Sequence, residues 1–265
     1  MAFFGTREYV IIRAWVMFMQ KVINKTTINY EYFNNDSNIS LVFLHGWGQN
    51  IEMMMMLAKP FITKYNVLVL DLPGFGASSE PDYAWSLDDY AKMLNILIKE
   101  LKLDNIILIG HSFGGKIALV YALKYKVKKL VLLASPFRKN ITKPTLKMRF
   151  YKFVKKTPGL RLMENFVKNK VGSVDYRNAT PMMRAILVKH VNLDLTEEVA
   201  KIKCPTLLIW GTNDEAVSYE DALKLEKLIP NAGLVTYEGA THYAYLERLK
   251  QTIRVLASFI GSDEL

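Results

Sequence analysis

Ser112 stands in Gly110-His111-Ser112-Phe113-Gly114, directly behind the apolar run of residues 105–109, and a helical pattern runs from Gly115 to Tyr125. Strand, tight turn and helix in that order make the G-x-S-x-G spacing a nucleophile elbow, with the serine strained at its apex and its hydroxyl projecting. Small flanking residues let strand and helix approach without a Cβ clash. A serine hydroxyl attacks poorly until a base takes its proton, and the chain offers four histidines for that task. His45 lies in a His-Gly-x-Gly turn, His111 points away from the neighbouring hydroxyl, and His190 falls at helical spacing in a basic segment. His242, in Gly239-Ala240-Thr241-His242, follows the last strand pattern and precedes the final helix. It is the best base. The base in turn needs a carboxylate to hold its tautomer. Asp214 closes Trp210-Gly211-Thr212-Asn213-Asp214 and comes soonest after the penultimate strand, ahead of Glu215, Glu220 and Asp221.

Acyl transfer also requires donors for the oxyanion of the tetrahedral intermediate, and losing one typically costs ~10²–10³ in rate. Two backbone N–H groups are placed for it. One belongs to Phe113, just after the nucleophile at a helix start; the other belongs to Trp47 in His45-Gly46-Trp47-Gly48. Glycine-rich turns can instead cradle phosphates, but neither G-x-x-x-x-G-K-[ST] nor a correctly spaced G-x-G-x-x-G occurs. No His, Cys and carboxylate residues share metal-ligand spacing either, so no metal is expected.

Alternating elements must position these groups, and the pattern predicts an α/β fold with a mostly parallel sheet. Strands are expected within 21–33, at 39–44, 66–70, 105–109, 129–133, 206–210 and 233–237; helices are expected at 51–63, from the Ser86 cap to 101, at 115–125, 219–228 and 245–260. Between 136 and 200 the pattern turns wholly helical, as in Leu146, Phe150, Phe153 and Val154, or Met182, Met183, Ile186 and Leu187. A helical block between two strands of a parallel sheet reads as a lid over the strands' carboxyl ends, where such sheets bind ligands.

Five motifs in order, His45-Gly46-Trp47-Gly48, Asp71-Leu72-Pro73-Gly74-Phe75-Gly76-Ala77-Ser78, Gly110 to Gly115, Trp210 to Asp214 and Gly239 to His242, resemble those of the α/β-hydrolase superfamily over residues 20–260. The resemblance implies an eight-stranded, mostly parallel sheet flanked by helices, a Ser112–Asp214–His242 triad in that family's Ser…Asp…His order, an oxyanion hole from Trp47 and Phe113, and no cofactor. The patterning divides the chain into a core of residues 19–135 and 201–265, a lid of 136–200, and an N-terminal extension of 1–18. A serine nucleophile speaks against the dehalogenase and epoxide hydrolase branches, which use aspartate there. The H-G-W-G turn and basic lid are similar to carboxylesterases that release pimeloyl-carrier-protein methyl esters. The Gly-His-Ser-Phe-Gly-Gly elbow is similar to hydrolases that cleave carbon–carbon bonds in ring-fission products. A carboxylesterase acting on small to medium acyl esters is the expected function, a carbon–carbon hydrolase the runner-up. A catalytically silent receptor on this scaffold ranks below both, since all three triad residues are present.

Composition agrees with a globular enzyme: 51% hydrophobic and 23% charged residues in 265. The net charge of +10 is concentrated. Residues 136–203 carry 16 Lys/Arg against 5 Asp/Glu, whereas the remainder is nearly neutral. Such a segment could attract an anionic substrate, an acidic carrier protein or an anionic membrane, against a plainer reading as a solvated basic face. Its aromatics fall at packing positions with no recognition motif, which excludes nucleic acid. A lone cysteine, Cys204, fits a reducing, cytoplasmic setting and reads as a buried, inert thiol. Residues 1–20 are apolar but interrupted by Arg7, Glu8 and Arg13, so neither a membrane span nor a secretory signal is expected there.

Overall fold

A computed structural model describes residues 19–139 and 173–261. Among these residues one sheet is built from β1 (Met19–Ile23), β2 (Thr26–Phe33), β3 (Ser40–Leu44), β4 (Asn66–Leu70), β5 (Ile106–His111), β6 (Lys129–Leu133), β7 (Thr206–Gly211) and β8 (Ala232–Tyr237). Its spatial order is β1-β2-β4-β3-β5-β6-β7-β8. β1 and β2 pair antiparallel at one edge, and every pairing from β4 through β8 is parallel. The loops leaving β3, β5, β7 and β8 therefore emerge along the same edge, and these are the loops that carry the candidate site.

Among the described residues the α-helices are α1 (Ile51–Ala58), α2 (Leu87–Glu100), α3 (Ser112–Lys124), α4 (Val174–Asn178), α5 (Pro181–Asn192), α6 (Tyr219–Leu228), α7 (Ala244–Glu247) and α8 (Leu249–Ile260). A strand's side chains alternate between its faces. In β3, Val42 and Leu44 enter a core shared with Leu94 of α2 and Ile117 of α3, while Leu41 and Phe43 enter another shared with Met54 of α1 and Leu256 of α8. With apolar cover on both faces, the central strands need nearly continuous apolar sequence, as β4 (NVLVL) and β5 (IILIGH) have.

Local chemistry sets the helix ends. Ser86 accepts the Asp89 N–H and its own N–H donates to Asp89 Oδ2 at 2.8 Å, a reciprocal cap worth ~1 kcal/mol. Most expected elements fall where the pattern puts them, and β4, β6 and α6 do so residue for residue. The elbow helix differs: it begins at Ser112, not Gly115, because Gly114 is packed against the backbone of Leu44 and His45 and Gly115 against the Ser135 side chain, so neither imposes a break. The final helix is divided at Arg248 (φ −116°, ψ 39°) into α7 and α8. Cys204 is half-buried, not buried, with desolvation pushing its thiol up. Within the basic segment, α4, α5 and the 3₁₀ turn Val199–Lys201 are described. The helical spacing read at 146–154, most of the segment's lysines, the 1–18 extension and the last four residues lie outside the described residues.

Candidate active site

The elbow is dictated by close approach. A Cβ on Gly110 would lie 2.6 Å from the Gly114 carbonyl oxygen and from Gly115 Cα, so β5 and α3 meet only because glycine stands there. Gly114 is pressed as tightly on β3, and its N–H donates to the His45 carbonyl at 3.1 Å. Between them Ser112 adopts φ +48°, a left-handed conformation that costs a non-glycine residue on the order of 1–3 kcal/mol. The turn throws the side chain off the end of the sheet, and Ser112 is half-buried, neither sealed nor freely solvated.

The loops after β7 and β8 are stitched together by main chain: Asn213 N–H donates to the Ala240 carbonyl (2.9 Å) and Thr212 N–H to that of Tyr237 (3.2 Å). This brings Asp214 and His242 into contact. His242 Nδ1 lies 2.8 Å from Asp214 Oδ2, and the carboxylate is fully buried while the imidazole keeps 16% exposure. The other carboxylate oxygen accepts N–H groups from Ala216 (2.8 Å) and Val217 (2.9 Å). Asp214 is thus held at both oxygens, and since an ionised carboxylate only accepts, the His242 ring proton is assigned to Nδ1, leaving Nε2 with a lone pair. The competing Asp221 is occupied elsewhere, by Arg138.

His111 joins the base loop to the elbow. Its ring is fully buried, Nε2–H donates to the His242 carbonyl (3.1 Å), and the two imidazole centroids are 4.8 Å apart. Desolvation pushes its imidazole down to about 3, so it carries one ring proton, which we assign to Nε2. Gln49 Oε1, 3.2 Å from His111 Nδ1, already accepts the Gly46 N–H at 2.9 Å. With the ring proton on Nε2, that 3.2 Å approach sets two acceptors face to face and is a packing contact, not a hydrogen bond.

The other histidines are structural in different ways. His45 is buried, with Nδ1–H donating to the Gly46 carbonyl (2.7 Å) and Nε2 accepting the Leu72 N–H (2.9 Å). Desolvation holds it neutral, down to about 4. His190 is buried on α5 with its ring edge-on to Phe113 (4.8 Å between centroids, 78°), and desolvation pushes it down to about 3. Trp47 and Phe113 pack edge to face at 5.2 Å, and Phe75 completes that cluster at 4.9 Å from Trp47. The Phe113 N–H belongs to the first helical turn, where N–H groups have no partner within the helix.

Gln49 and Asp71 escaped the motif reading as working residues. Asp71 is buried, and it accepts Ile51 N–H (2.8 Å), Ala77 N–H (2.8 Å) and Asn29 Nδ2–H (2.9 Å), which explains the aspartate that opens the D-L-P-G-F-G motif. Gln49 carries no sequence signal; only the fold brings its amide to Gly46 and His111.

An elbow serine and a buried aspartate–histidine pair on one edge of this strand order define a class of protein. The family described as alpha/beta hydrolase fold matches residues 39–177, and one described as TAP-like protein matches 188–260. The chain belongs to the α/β-hydrolase superfamily and is a hydrolase. It is 28% identical to Lipase 1 of Psychrobacter immobilis over 250 residues, covering 84% of this chain and 77% of the lipase. It is 26% identical to 2-hydroxy-6-oxononadienedioate/2-hydroxy-6-oxononatrienedioate hydrolase 2 of Pseudomonas putida over 252 residues, covering 83% and 87%. The solved esterase EaEST of Exiguobacterium antarcticum matches its fold with a TM-score of 0.72 at 22% identity, over 91% of this chain and 98% of that one. Among the described residues no helix is long and apolar enough to cross a membrane.

Proposed function

We propose that this hydrolase is a carboxylesterase working through an acyl-enzyme on Ser112. Ser112 Oγ attacks the ester carbonyl while His242 Nε2 takes its proton; His242 then delivers that proton to the leaving alcohol. Asp214 holds the imidazole in the required tautomer and stabilises its protonated form. The N–H groups of Trp47 and Phe113 receive the oxyanion. Water enters with His242 as base and releases the acid. The observation that carries this reading is the serine held at φ +48° on the same sheet edge as an imidazole whose Nδ1 is bonded to a buried carboxylate. The helices at 174–192 support a lid formed by residues 136–200, and Lipase 1 supports an ester as substrate.

A fluorophosphonate probe tests the nucleophile. Wild-type protein is expected to label stoichiometrically and Ser112→Ala not at all; equal labelling of both would refute the assignment. A second reading, cleavage of a carbon–carbon bond in a ring-fission diketone, is favoured by the Pseudomonas putida relative. Rates on such a dienoate beside p-nitrophenyl esters of graded length separate the two.

A further inference from the structure

Lys116 lies one helical turn beyond Ser112 and is 1% exposed. Its ammonium donates to the carbonyls of His190 (2.9 Å) and Leu193 (2.6 Å). Those carbonyls end α5, where a helix concentrates partial negative charge. Among the described residues no carboxylate pairs with Lys116; Asp194 acts on it only from a distance. A buried ammonium without a counter-ion is costly, and methionine would fill the same space without that cost. What methionine cannot do is bond two carbonyls of another element.

The element held is the one that covers the elbow. Met183, near the start of α5, sits where a Cβ on Gly74 would be, and His190, near its end, lies on the Phe113 ring. Met183 and Ile186 join Phe113 in one apolar cluster. α5 therefore rests on the turn that offers the Phe113 N–H, secured by Lys116 at one end and by a Lys189-to-Ala84 hydrogen bond on its flank.

We propose that Lys116 is a positioning residue whose ammonium clamps α5 onto the elbow and so sets the depth of the acyl pocket. The pocket half of this rests on Ser112 being the nucleophile; the clamp itself does not. Two measurements on full-length Lys116→Met keep them apart. Amide hydrogen exchange is expected to accelerate about tenfold or more across residues 181–192 with β3 and β5 unchanged. The ratio of kcat/KM for octanoate and acetate p-nitrophenyl esters, normalised to probe-titrated serine, is expected to shift at least about fivefold, mostly through KM. Wild-type exchange in α5, or a uniform rise over all elements, would overturn the clamp. An equal loss on every ester would overturn the pocket role. If wild-type protein cleaves no ester, the mechanism fails while exchange still decides the clamp. Should Lys116→Met not fold, Lys116→Gln keeps a donor without the charge and is expected to give intermediate acceleration; wild-type exchange there overturns the proposal equally.

Discussion

Replacing Asp214 with asparagine removes one charge and leaves the shape of the side chain nearly untouched, so it isolates what the carboxylate does. Asparagine can sit in two orientations. With its oxygen toward the Ala216 and Val217 N–H groups, both bonds of 2.8 and 2.9 Å survive. With its amide nitrogen there, two buried donors face two donors, at ~1–3 kcal/mol for each group left unsatisfied. The first orientation wins by several kcal/mol. It points an N–H at His242 Nδ1, 2.8 Å from the present carboxylate oxygen. The imidazole must then accept at Nδ1 and carry its proton on Nε2, the tautomer that cannot take a proton from Ser112. Where an aspartate serves this role, the same exchange lowers kcat by about 10⁴, or ~5.5 kcal/mol of transition-state stabilisation. The assay is kcat on p-nitrophenyl butyrate, corrected for active serine by probe titration, with thermal unfolding run alongside. A loss of under tenfold in a folded variant would mean that Asp214 does not set the tautomer.

Gly110→Ala is expected to destabilise the protein by at least ~1–3 kcal/mol and to abolish activity, since its Cβ would stand 2.6 Å from rigid backbone; wild-type melting would refute the packing argument. Stability is also expected to fall in mild acid. His45, His111 and His190 are pushed down to about 4, 3 and 3, so between those values and ~6.5 only the unfolded chain binds the proton. Their stabilising effect is complete above ~6.5 and is lost as pH falls, at about 2 kcal/mol for each ring by pH 5. Total stability is only ~5–15 kcal/mol, so the urea midpoint should drop sharply between pH 7.5 and 5. An unchanged midpoint would contradict the burial of these rings.

Much of the fold was legible because its signals are local. Unbroken apolar runs such as NVLVL read as strands buried on both faces, and Ser86 with Asp89 marks a helix start through its own hydrogen bonds. The start of α3 was misplaced because glycine usually interrupts a helix, whereas here Gly114 and Gly115 are required by the backbone and the side chain packed against them. The break at Arg248 has no proline or glycine to announce it, so the pattern read one helix.

The same division runs through the site. Sequence alone determined which residues could do the chemistry, since Ser112, Asp214 and His242 each end a strand-and-turn pattern. Choosing Asp214 over Glu215, Glu220 and Asp221 rested there on order along the chain; the tertiary structure adds physical contact, burying the Asp214 carboxylate against the His242 imidazole and pairing Asp221 with Arg138. Gln49, His111 and Lys116 became readable only in three dimensions. Two of them bond groups from distant parts of the chain, His111–His242 across 131 positions and Lys116–His190 across 74, and Gln49 meets His111 across 62. A hydrogen bond that long in sequence leaves no periodic trace, because its geometry is set by the packing of the sheet and not by neighbouring residues.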